Sequence, residues 1–230
     1  DGVPTDWHLV HLGALARGGA GLVITEATGV TPEGRISPED TGLWNDEQEA
    51  AWARITAFIR SQGAVPGIQL AHAGRKASTF SPWGDERSGS VPLDEGGWLT
   101  VAPSAVAFDG YAVPRGLEAD ELLFLVEAFA DAARRAVRAG FGLVEIHAAH
   151  GYLLHQFLSP LSNRREDAYG GPLENRARLL LEVVRAVRDA VGDELPVLVR
   201  FSATDWADDG WTPEQTVTVA GWAREAGADL

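Results

Sequence analysis

His147 and His150 stand three residues apart, and Tyr152 follows two residues later. Imidazoles can donate and accept hydrogen bonds, so the pair is a candidate for polar chemistry. A tyrosine hydroxyl beside them can deliver a proton as a general acid. The same His-x-x-His pair can instead open a metal site. Two histidines without a nearby third ligand make a weak zinc centre, so no metal is expected. Gln69 and Arg200 are the other polar residues in otherwise apolar runs. Each has a structural alternative: a satisfied core amide, an arginine paired with a carboxylate, a packing tyrosine. Glu145 is expected to alternate away from the site if Ile146 is buried.

The elements around these residues follow one rhythm, strand then helix. Thr5 to Arg17 has the leucine spacing of a helix, and Leu22-Val23-Ile24-Thr25 is a continuous apolar run, as in a strand buried on both faces. Asp46, as N-cap, opens a helix reaching about Gln62, and Val65 to Ala71 is the next strand. An excursion rich in Gly, Pro, Ser and Trp spans about 73–117, including Pro82-Trp83-Gly84, and Val101 to Val113 within it is read as a small hairpin. The rhythm then resumes with a helix from Ala119 to Ala139, a strand Leu143 to Ile146 and a loop Gly151 to Gly171. A helix Leu173 to Val191, a strand Pro196 to Phe201 and a helix from Pro213, capped by Thr212, complete it. A glycine-bearing helix end precedes a strand at Arg17-Gly18-Gly19, Arg138-Ala139-Gly140 and Glu225-Ala226-Gly227.

Alternating strands and helices imply an α/β chain with a parallel sheet. No G-x-G-x-x-G follows the first strand, which disfavours the doubly wound alternative. The expected fold is an incomplete (β/α)8 TIM barrel, running from helix 1 to the start of strand 6 as a single partial domain over residues 1–230. In such barrels chemistry sits at the C-terminal ends of the strands. Glu26-Ala27, Gln69, His72, His147, His150, Tyr152 and Arg200 all lie in or just after strands, so they converge on one mouth.

Two stretches make the resemblance specific. Ile146 to Arg165, with Asp167, Tyr169-Gly170-Gly171 and Glu174-Asn175-Arg176, resembles a signature of bacterial Old Yellow Enzymes. Gly67 to Lys76 resembles a second one, and Glu26-Ala27 and Val199-Arg200 fit in order and spacing. The His-x-x-His form is similar to the subgroup that includes xenobiotic reductases and NADPH dehydrogenases. The resemblance implies an FMN-dependent enzyme that uses NADPH or NADH to reduce activated C=C bonds of enones, nitro compounds or similar xenobiotics. The implied cofactor-binding residues are Ala27, Gln69, His147 and Arg200. His147 and His150 would polarise the substrate oxygen, and Tyr152 would protonate the α-carbon. Arg164, Arg165, Asp167 and Arg176 are read as a salt-bridged loop brace, and His72 and Lys76 as possible substrate or nicotinamide contacts. His155 has no assigned chemistry. A multidomain 2,4-dienoyl-CoA reductase-like barrel and a non-catalytic fragment are the competing readings.

Composition supplies the exclusions. The 230 residues carry a formal charge of -14, which disfavours a nucleic-acid partner. There is no cysteine, so a cysteine-ligated metal or cluster cannot form within this sequence. No apolar run reaches the roughly 18 residues of a membrane span, so a cytoplasmic protein is expected, and the resemblance implies a small-molecule substrate. A homo-oligomer is expected at full length. With no methionine, no strand ahead of the first helix and a stop at Leu230 where a strand should follow, the sequence is expected to be a piece cut at both ends.

Overall fold

The computed structural model describes residues 1–83 and 87–230, so Gly84 of the Pro82-Trp83-Gly84 stretch lies outside the described residues. The elements run α1 (Asp6–Arg17), β1 (Leu22–Gly29), α2 (Asp46–Ser61), β2 (Val65–Ala71), β3 (Val101–Ala102), β4 (Arg115–Gly116) and α3 (Ala119–Arg138). They continue with β5 (Leu143–Ala148), α4 (Leu153–Leu158), α5 (Leu173–Val191), β6 (Val197–Phe201) and α6 (Pro213–Glu225). The main sheet has the order β1-β2-β5-β6, and every neighbouring pair is parallel. Past α6 the chain returns to the sheet edge: Asp229 N–H donates to Val197 O and Val199 N–H to Leu230 O, both at 2.8 Å. The fold is a partial (β/α)8 barrel, with four consecutive strands in place and a fifth beginning.

Local chemistry sets the helix limits. Thr5 and Thr212 each cap a helix through a reciprocal capping box, and Pro213 occupies the first turn of α6. α2 is capped by Asn45, not Asp46, its side chain accepting from Gln48 N–H. The three glycine-bearing ends adopt one geometry. Gly19, Gly140 and Gly227 take left-handed φ of 97°, 87° and 116°. In each case the next residue donates back five positions, as in Phe141 N–H to Ala136 O at 3.0 Å, which is the Schellman arrangement.

The sheet has two unlike faces. On the convex side Ile68, Leu70, Val144 and Ile146 are sealed beneath the helices. α3 packs Leu122, Leu125 and Phe129 into the same core as Leu180, Val183 and Val187 of α5. Burying each such aliphatic side chain contributes about 1.5–3 kcal/mol. The concave side carries Leu22, Ile24, Gly67, Leu143, Gln69, Glu145, His147 and Arg200.

Two expectations are corrected here. The stretch from Val101 is not a hairpin: β3 pairs with β4 in parallel, Val101 beside Arg115, and residues 103–114 form the crossing. The loop 151–171 contains the short helix α4, whose six residues are all buried and therefore lack an amphipathic period.

Candidate active site

The site is built in rows across the concave face. A register shift in β1 between Ile24 and Ala27 sets Ala27 beside Gln69, and Gln69 lies beside Glu145. One row nearer the strand ends, His147 lies beside Arg200. The fold thus brings Ala27, Gln69, His147 and Arg200 onto one surface, with His150 and Tyr152 in the loop directly above.

Glu145 does not alternate away. Because Ile146 faces the helices, both its neighbours face the barrel interior, and Gln69 Nε2 donates to Glu145 Oε1 at 2.5 Å. That bond occupies the glutamine's amide and leaves its carbonyl oxygen to the concave surface.

The imidazoles are ordered by a chain of hydrogen bonds. Ala149 N–H donates to His147 Nδ1 at 3.2 Å, so the ring proton of neutral His147 sits on Nε2. His147 Nε2 and His150 Nδ1 are 3.2 Å apart, so that proton points at His150 and leaves the His150 Nε2–H free. His147 is buried; burial first, then His150 and Arg200, push it down to about 3, so it is neutral at pH 7. His150 is exposed and is lowered by the same desolvation and by Arg200. Its backbone sits at φ 58°, in the left-handed region that non-glycine residues rarely enter.

Tyr152 caps α4, with its ring edge-on to His147 at 5.1 Å. Burial raises its hydroxyl above the ordinary tyrosine range, with Asp40 adding to the effect, so it holds its proton at neutral pH. Lys76 reaches the same spot: its Nζ donates to His150 O at 2.9 Å and lies 5.2 Å from the centre of the Tyr152 ring. His72 does not. It is 1% exposed, packed against Gly34, and its Nδ1 accepts from Gly74 N–H, so it cannot meet a substrate. Burial pushes it down to about 4.

Around this centre, Ala27 lines a cleft of about 380 Å³ with Trp7, His11, Asp40 and Trp83. A second cleft of about 310 Å³ borders His150 with Arg75, Phe108 and Asp205. The arginine brace is partly ionic. Arg165 pairs with Asp167 at 2.6 Å and also donates to Pro103 O and Leu117 O, whereas Arg176 donates to the carbonyls of Gly171 and Leu158. Sequence reading overlooked Asp205, which lies beyond the end of β6 and binds His155 at 2.8 Å. The rule that barrel chemistry gathers after strand ends could have found it. Among the described residues no group of three or more His, Cys, Asp and Glu could hold a metal.

The model of the NADH:flavin oxidoreductase / NADH oxidase family matches residues 1–230. The chain is 48% identical to an NADH:flavin oxidoreductase of Gibberella zeae, over 100% of this chain and 59% of that protein. It is 47% identical to an NADPH dehydrogenase of Listeria monocytogenes, over 100% of this chain and 63% of that protein. Among solved structures it resembles morphinone reductase in complex with tetrahydroNAD, at 35% identity and a TM-score of 0.83, over 99% of this chain and 64% of that one. The Old Yellow Enzyme homologue of Zymomonas mobilis is equally similar, at 35% and 0.83, over 99% and 63%. A 2-naphthoyl-CoA reductase superposes with a TM-score of 0.88 at 28% identity, over 100% of this chain but 35% of that one. The chain therefore spans roughly three fifths of the curated relatives and belongs to the NADH:flavin oxidoreductase / NADH oxidase family.

Proposed function

We propose that these residues form the reacting half of an FMN-dependent, NAD(P)H-driven reductase of activated carbon–carbon double bonds in enones, nitro compounds and similar small molecules. The observation that carries the reading is the ordered His147–His150 pair with Tyr152 against it, beside Gln69 and Arg200 on one concave face.

The residues fit a flavin. Arg200 is exposed beside His147, and among the described residues its guanidinium has neither a hydrogen bond nor an ion pair. A positive charge so placed suits the anionic edge of a reduced isoalloxazine. The free carbonyl oxygen of Gln69 can accept from a ring N–H, and Ala27 leaves room for an approaching plane. FMN, when bound, supplies the hydride that reduces the substrate and takes it from NAD(P)H.

The protein's own part is polarisation and proton delivery. His150 Nε2–H is ready to donate to a carbonyl or nitro oxygen. His147 Nε2–H can join it by leaving His150, which places both donors on the atom where charge grows. Because His147 is neutral, this costs no buried charge. Tyr152 keeps its proton until the α-carbon needs it. A homo-oligomer and a cytoplasmic setting belong to the same proposal. Among the described residues no helix is long and apolar enough to cross a membrane. The likeness to 2-naphthoyl-CoA reductase favours, second, the barrel domain of a larger CoA-ester reductase; the higher identity to the NADPH dehydrogenase places it second.

The test uses the full-length protein, its visible spectrum and the oxidation of NADPH with 2-cyclohexenone. His147→Ala is expected to lower enone turnover about 10²–10³-fold with flavin content intact. Unchanged turnover overturns the reading.

A further inference from the structure

A second set of polar groups ties the loop after β6 to the turn that carries His150. The Asp205 carboxylate accepts from His155 Nε2 at 2.8 Å, from Ser159 Oγ at 2.6 Å and from Trp211 N–H at 2.8 Å. His155 is buried, and its Nδ1 accepts from the Gly151 N–H at 3.0 Å. With Nδ1 accepting, the ring proton is on Nε2, facing Asp205. Both ring nitrogens are therefore committed, and the imidazole cannot turn without breaking a bond.

What this chain ends on is a backbone amide at a strained place. Gly151 has φ 70° and directly follows His150 at φ 58°. A non-glycine residue in the left-handed region persists only where its surroundings over-determine it. Two further bonds work in the same sense. His150 N–H donates to Ser202 Oγ at 2.8 Å, and Trp211 Nε1–H holds Ser202 O at 3.0 Å. Gly151 O in turn accepts from Gln156 Nε2 at 2.7 Å. The bonds of Asp205 and His155 therefore reach the turn, and not the His150 ring.

We infer that Asp205 and His155 are positioning residues: they hold the Gly151 amide, and through it the left-handed His150 backbone, so that the His150 ring meets His147. The inference rests on the reading of His147 and His150 as donors to the substrate oxygen. Asp205 serves as a carboxylate because one rigid acceptor must satisfy three donors from two segments, α4 with its C-cap and the loop at Trp211. His155 serves as an imidazole because it passes that anchor on to the Gly151 N–H. Neither group moves a proton in the reaction.

The experiment uses the full-length, flavin-loaded protein with 2-cyclohexenone. His155→Gln sets a donor near the Nε2 position toward Asp205 but offers Gly151 no acceptor. His155→Asn sets an acceptor near the Nδ1 position but loses the reach to Asp205. His155→Gln and Asp205→Asn are each expected to raise KM about tenfold and lower kcat less, at unchanged flavin content. His155→Asn should recover part of the KM loss. In a His150→Ala background neither His155→Gln nor Asp205→Asn should raise KM further, since the ring they position is gone. An unchanged KM in His155→Gln, or an equal rise in the His150→Ala background, overturns the inference. If Asp205→Asn does not retain flavin, the comparison of the two His155 variants carries the test. Full turnover in both His147→Ala and His150→Ala would sink the substrate-site reading. Lost turnover there, with His155→Gln silent, would sink only the positioning role.

Discussion

The two faces of the sheet are made from the same strands and obey different rules. The convex face holds aliphatic side chains that are 0% exposed, among them Ile68, Leu70, Val144 and Ile146. The concave face alternates with it residue by residue, yet carries Gln69, Glu145, His147 and Arg200, and Leu22 and Val65 at its lower edge are 43% and 44% exposed. The convex face answers to packing, where one aliphatic group replaces another at modest cost. The concave face answers to hydrogen-bond geometry, where a single donor decides whether His147 or His150 presents a free N–H. Stability and chemistry are thus separated by the pleat of a strand and can be perturbed one at a time.

The largest expected effect of a single change lies on the chemical face. Tyr152→Phe keeps the ring against His147 but removes the hydroxyl proposed to donate the proton. Enone reduction should fall about 10²–10⁴-fold, or about 3–5 kcal/mol, while reduction of the flavin by NADPH proceeds normally. Stopped-flow absorbance separates the two half-reactions, and a slowed first half would show that the hydroxyl does something other than protonate. On the opposite face, Ile68→Ala should cost about 2–5 kcal/mol of stability, because the strand cannot collapse onto the void. Urea unfolding measures it, and kcat per bound flavin should stay near that of the parent. A variant that is stable but slow would break the separation of the faces.

The same contrast governs what could be read from the sequence. The convex face announces itself: the apolar run at residues 22–25 and the cluster Leu143, Val144 and Ile146 give strands, and the leucine, phenylalanine and alanine stripe of α3 gives a helix. The three helix ends were legible because only glycine takes a φ near 90° cheaply. On the concave face no period distinguishes His147 from any other inward residue, so its place came from the motif and from the rule about strand ends. What stayed hidden depends on distant register. The parallel pairing of β3 with β4, the burial of His72 and the His155–Asp205 bond across 50 positions have no local signature. The direction of Glu145 was deducible from alternation, but only by taking the barrel interior, not solvent, as the alternative to burial.

A smaller effect tests whether Glu145 belongs to the chemical face or merely occupies it. Its bond to Gln69 Nε2 fixes which end of that carboxamide meets the concave surface. Glu145→Gln brings a second amide to the contact and lets Gln69 turn over. Flavin affinity should weaken about tenfold, or about 1–2 kcal/mol, with little change in unfolding free energy. Titration of FMN into the apoprotein, followed by quenching of flavin fluorescence, measures it. An affinity equal to that of the parent would mean that the orientation of Gln69 has no bearing on the cofactor.

The smallest effect is a slope. His147 is held at about 3 and His72 at about 4 in the folded chain, against an ordinary histidine value of 6.5. As pH falls below about 6.5 the unfolded chain takes up these protons first, so the folded state loses ground. The stability is fully present above that value and drains as pH falls towards 4 for His72 and towards 3 for His147. Each histidine contributes at most about 1.4 kcal/mol per pH unit inside its window, roughly 3–6 °C in Tm for a domain of this size. Asp205, held at about 2 mainly by its bonds to His155 and Ser159 against the opposing pull of burial, adds its own loss only below its ordinary 3.8. Melting curves between pH 7 and about pH 5 therefore report the lowered histidines, His150 among them, ahead of the lowered carboxylates Asp205 and Glu121. His147→Asn should shallow that slope, because the most strongly lowered of these imidazoles is gone while that of His72 remains. A slope untouched by the substitution would mean that His147 is wet enough to titrate normally, and the concave face would then lack the neutral donor on which the proposed chemistry is built.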